Sequence, residues 1–108
     1  MNKIMLIATT FLLFTASNPA YSWDGDQEGY ISRIDVTGAN NFGFRVTLEG
    51  NPVMCSGGDK WAYLNETDSN YKVYVSVLLA AKAQRSKVKL YTTNVNVTRC
   101  NIGYIAVF

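Results

Sequence analysis

Trp23, Asp24, Asp26, Glu28 and Ser32 set an indole, three carboxylates and a hydroxyl within one short stretch of the chain. Carboxylates so spaced have three chemical uses. A pair of them, one protonated and one ionised, hydrolyses glycosides. Three at alternate positions can ligate calcium, although the EF-hand order of ligands is missing here. Beside an aromatic face, carboxylates and hydroxyls read the hydroxyls of a sugar while the ring packs on its C–H patches. Hydrolysis needs a cleft that raises the pKa of one carboxyl, and nothing around this stretch predicts one. The stretch stands at the expected start of the mature chain, where a mobile backbone is expected. Sugar recognition is the chemistry these residues favour.

Composition removes most catalytic alternatives. The chain has no histidine, so the commonest general base is missing. No nucleophile elbow, Walker motif or dinucleotide fingerprint occurs. Cys55 and Cys100 are the only thiols. Without an imidazole they make neither a cysteine nucleophile with its base nor a zinc site. No enzyme activity, no cofactor and no metal are expected.

Residues 1–22 read as a signal peptide. Lys3 is the positive n-region, and Ile4 to Thr15 is an apolar run too short to span a bilayer. Asn18 and Pro19 break it, and Ala20-Tyr21-Ser22 places small residues for cleavage after Ser22. A mature domain of residues 23–108, secreted or periplasmic, is expected, with no transmembrane segment. The full chain carries a net charge of +2, and removing Lys3 with the leader lowers it to +1. So even a balance gives no reason to expect nucleic acid as a partner. In an exported chain an even pair of cysteines reads as a disulfide, here Cys55–Cys100.

The elements that must position these groups follow from periodicity. Phe42 to Glu49 alternates strictly, with Phe42, Phe44, Val46 and Leu48 on one face. Tyr30 to Thr37 alternates less cleanly and should pair with it through the turn at Gly38–Asn41. Lys60 to Leu64 is a short third strand. The segment Asn65 to Asn70 is rich in N-cap residues, and a helix is predicted from about Ser69 to Arg85. Tyr71, Tyr74, Val75, Leu78 and Leu79 form its core stripe, with Ser76, Ala80 and Ala83 opposite. Lys87 to Thr92 and Ile102 to Phe108 complete five strands. Trp61, Tyr63 and Tyr71 are read as packing residues. The fold class is mainly β, and the order β-β-β-α-β-β is that of the OB-fold, a small barrel with a helix between strands three and four. The cystine would tie together the loop before strand three and the start of strand five.

Trp23-x-Gly25-Asp26, then Glu28-Gly29-x-x-Ser32, resembles the mature start of B subunits from the subtilase-cytotoxin and pertussis/typhoid-toxin-like group. Cys55-Ser56 followed by Trp61, and Val88-Lys89-Leu90-Tyr91 after the helix, extend the resemblance over most of the mature chain. The family departs from this chain at the helix end, where Ala80, Ala81 and Lys82 replace aromatic residues. The resemblance implies a receptor-binding subunit of an AB-type toxin, a homopentamer that binds a sialylated cell-surface glycan and accompanies an enzymatic A subunit. It implies that Ser32 contacts the sugar's carboxylate, with Glu28, Trp23 and Asp26 as the other glycan-binding residues. The alternative from the same fold is a small envelope protein that holds another protein and ignores sugars.

Overall fold

The computed structural model describes residues 22–108. The expected leader lies outside them except for its last residue, Ser22. The strands are β1 (Gly25–Gly29), β2 (Ile31–Val36), β3 (Phe44–Leu48), β4 (Ala62–Leu64), β5 (Val88–Asn94) and β6 (Cys100–Val107), with one helix, α1 (Tyr71–Gln84), between β4 and β5. They form a single curled sheet in the order β1-β5-β6-β4-β3-β2. All pairings are antiparallel except β4 with β6. The two outermost strands, β1 and β2, are separated only by Tyr30, so the sheet's edges are joined through one residue.

Six strands therefore stand where five were expected. The additional one is Gly25–Gly29, the stretch expected to be mobile. It pairs residue for residue with β5, from Gly25 opposite Thr92 to Gly29 opposite Val88. The alternation in Phe42–Glu49 starts two residues late, because Phe42 adopts a left-handed conformation with φ 58°. That conformation is costly for a bulky side chain. It turns the ring out of the strand, against Trp61 and Tyr63.

The core is what the alternation demands. Phe44, Val46 and Leu48 of β3, Val88 and Leu90 of β5, Ile102 of β6 and Leu64 of β4 all point inward and are buried. α1 closes the core with Leu78 and Ala81, and Tyr71, Tyr74 and Val75 pack partly against it. Leu79, expected in that stripe, is 50% exposed. A helical step of about 100° takes it off the face that Leu78 occupies, and Ala81 holds the next inward position instead. The helix starts without a side-chain cap, despite the cap-rich segment before it. Asp68 there accepts instead from the Asn65 backbone N–H and the Asn101 side chain, both at 2.8 Å. The helix ends at a left-handed Arg85, whose N–H returns to Ala81 and Lys82 carbonyls. Cys55 and Cys100 are joined in a buried disulfide that ties the loop before β4 to the start of β6. Among the described residues no helix is long and apolar enough to cross a membrane.

Candidate functional site

Leu90 points inward, so its neighbours Lys89 and Tyr91 point outward. Directly opposite residues in paired strands share a face. Asp26 lies opposite Tyr91, and Glu28 opposite Lys89. On the other side Tyr104 lies opposite Tyr91. The register alone therefore gathers two carboxylates, an ammonium and two phenols on the outer face of β1, β5 and β6.

Trp23 completes this face from the residue-long approach to β1. Its ring centroid stands 6.1 Å from that of Tyr91 and 6.2 Å from that of Tyr104. Tyr91 and Tyr104 meet edge to face at 5.0 Å. The three rings form an aromatic platform, half-buried at Trp23 and Tyr91 and exposed at Tyr104. Asp24 anchors its start, accepting the Asn94 backbone N–H at 2.8 Å.

Gly103 is what lets the indole lie down. The β5–β6 register shifts between Tyr91 and Thr92, so that Gly103 bulges between Ile102 and Tyr104. A Cβ there would stand 2.5 Å from Cζ3 of Trp23, closer than atoms approach. The Gly103 carbonyl accepts the Tyr74 hydroxyl at 3.0 Å, so the helix fixes the bulge on which the indole rests. Lys89 lies 5.2 Å from the Tyr91 ring centroid. A hydrogen bond to Tyr91, with the charges of Tyr91, Asp26 and Glu28, holds its pKa above the ordinary lysine value. Lys87 pairs with Glu28 at 3.4 Å.

Of the four expected glycan-binding residues, three border this face: Trp23, Asp26 and Glu28. Ser32 does not share their strand pairing. It lies beyond Tyr30 at a bulge between β2 and β3, where its hydroxyl donates to the Thr47 carbonyl at 3.1 Å. Tyr91, Tyr104 and Gly103 were not picked out from the sequence. The signal was present only for Tyr91, which follows the inward Leu90 in an alternating run; Tyr104 faces outward because of the bulge at Gly103.

A second outward cluster stands on β3 and the approach to β4. The Arg45 guanidinium lies 4.3 Å from the Trp61 ring centroid, and that of Arg99 5.3 Å from Trp61 and 4.8 Å from Phe42. Arg45 donates to the Asn41 backbone and side chain, and Arg99 faces Asp59 at 3.9 Å. Trp61 thus packs on cations, while Tyr63 is buried and Tyr71 half-buried against the core. An open concavity of about 710 Å³ lies at the start of α1, lined by Glu66, Asp68, Tyr71 and Lys72 among others. It contains none of the residues that sequence reasoning assigned to a ligand. Among the described residues no three histidine, cysteine, aspartate or glutamate side chains are grouped to hold a metal ion. Compared with protein-family models, with curated proteins and with solved structures, the chain matches none.

Proposed function

We propose that this chain is a secreted or periplasmic, non-catalytic glycan-binding module with an OB-fold. Counting β1 and β2 as one bent strand, the sheet order reads 1-2-3-5-4 with the helix after the third, and this supports the OB reading. The observation that carries the binding reading is the Trp23–Tyr91–Tyr104 platform bordered by Asp26 and Glu28. Three mutually tilted rings offer apolar faces and edges to the C–H patches of a sugar ring, and the acceptors at their rim take its hydroxyl donors. The resemblance to B subunits of AB-type toxins adds a homopentamer and an enzymatic A subunit to this reading as partners.

A glycan array on the oxidised mature protein tests it. Binding is expected, and Tyr104→Ala should remove it while Ser32→Ala weakens it less. A folded protein that binds no glycan would refute the reading. The competing reading, a protein-binding module indifferent to sugars, draws on the helix. α1 carries only two charges, and Val73 and Leu79 are exposed at 54% and 50%. They flank an exposed face of small residues, Ser76, Ala80 and Ala83, and a helix face with so few charges is one that a protein partner can approach closely. Under that reading Tyr104→Ala leaves association unchanged.

A further inference from the structure

The second outward cluster holds a cation with no anionic partner. Arg45 donates through Nη2 to the Asn41 carbonyl at 2.7 Å and side-chain oxygen at 2.9 Å, and through Nε to the Phe42 carbonyl at 3.4 Å. All three acceptors are uncharged. Asp35, opposite Arg45 in the β2–β3 ladder, is held by Arg33 at 2.9 Å. Among the described residues Arg45 enters no ion pair. Arg99 faces Asp59 at 3.9 Å, too far for a hydrogen bond, and its buried Nε has no hydrogen-bond partner. Both guanidinium groups lie over Trp61, and Phe42 packs on the same indole. The indole is thus already engaged, and a sugar or a base finds no free ring to stack on there. What the cluster offers is guanidinium N–H donors, fixed in place by rings and carbonyls.

An apolar tip stands beside it. The β5–β6 loop that ends at Arg99 exposes Val95 at 47% and Val97 at 87%. The Asn96 side chain accepts the Thr98 and Arg99 N–H groups, and the Asn94 side chain donates to Ser56. Gly57 has no room for a Cβ beneath the Val97 carbonyl, so the loop sits directly on the one before β4. The two valines are therefore presented on a pinned backbone. Arginine and aromatic side chains make up the energetic centres of protein interfaces, and a preorganised surface loses little entropy on binding.

We propose that Phe42, Arg45, Trp61 and Arg99, with Val95 and Val97, form a docking surface for a protein partner that supplies an aspartate or glutamate next to an apolar side chain. The partner's carboxylate pairs with Arg45, and its apolar side chain covers the valines. A strand of nucleic acid fits less well, because it needs open rings and a run of unpaired cations. This inference goes beyond the glycan reading and uses a surface separate from the platform.

The test does not depend on sugar binding. A phage-displayed library of random peptides is panned on the oxidised mature protein. Enriched peptides are synthesised and titrated, with the two indole N–H resonances followed by NMR. They should carry an acidic residue beside an apolar one, move the Trp61 signal and leave that of Trp23 in place. Replacing the peptide's carboxylate by its amide should weaken binding about tenfold, and Arg45→Gln by a similar factor. Arg45→Gln also removes contacts to the turn at Asn41, so near-UV circular dichroism checks its fold. Val97→Ser changes an exposed side chain alone and should weaken binding by a smaller factor. A selection that enriches no acidic peptide, amide versions that bind as well, or a Trp61 signal that stays in place would overturn the proposal. An oligothymidylate that moves the Trp61 signal at lower concentration than any peptide would assign the face to nucleic acid instead. Each of these outcomes leaves the glycan reading of the platform untouched.

Discussion

Gly103 decides whether the indole of Trp23 can lie on β6. A Cβ at 2.5 Å from the ring must push it away, since the strand behind is held by the Tyr74 hydroxyl. Gly103→Ala is expected to expose Trp23, shifting its fluorescence to the red and weakening sugar binding roughly tenfold while β6 remains paired. Unchanged emission and affinity would mean that the indole is not part of the platform. A second residue-scale prediction concerns Glu49. It takes both guanidinium nitrogens of Arg85, and that hydrogen-bonded contact holds its carboxyl below the ordinary value of 4.5. A depressed carboxylate pKa stabilises the fold above the unfolded value, and the contribution is lost as pH falls through the folded one. The melting temperature of the wild type should therefore drop further on acidification below about pH 4.5 than that of Glu49→Gln. Parallel acid profiles would show that the pair adds nothing to stability. Both groups are solvent-exposed, so a small difference is expected.

Among the elements, the disulfide closes a loop of 45 residues in sequence separation. In the chain-entropy model, closing such a loop stabilises a fold by about 4 kcal/mol. Cys55→Ser with Cys100→Ser should lower unfolding stability by a figure of that order, measured by denaturant titration. A loss below about 1 kcal/mol would place the stability elsewhere. Much of this architecture was legible in the chain. The strict alternation of Phe44 to Leu48 and of Val88 to Leu90 encodes inward faces directly. The cysteine pair left only one intramolecular partner for each thiol. Other features were hidden because tertiary contacts decide them. Gly25–Gly29 has only Gln27 and small or acidic residues, so no apolar period marks it as a strand; β5 supplies its ladder. Phe42 obeys the alternation yet leaves it, because the ring finds Tyr63 and Arg99 outside. The platform was legible only at its β1 side. Its other half depends on the register of β5 against β6, which no local pattern specifies.

At the scale of the whole molecule, α1 leaves Val73 and Leu79 facing outward on a helix with few charges. A ring of five copies would cover such a face. Size-exclusion chromatography with light scattering should then report a mass five times that of the chain, and a monomer would leave the toxin-like assembly without support. Two aromatic surfaces stand on different strands of the sheet, Trp23 on β6 and Trp61 beside β4, and each holds one of the two tryptophans. The protein's own indoles therefore report which surface meets a ligand. The most direct measurement is a glycan titration of the oxidised mature protein followed through its two indole N–H resonances by NMR. The platform account predicts that the Trp23 signal moves with saturating sugar while that of Trp61 stays in place; a panel of glycans that moves neither signal, or moves Trp61 alone, would contradict it.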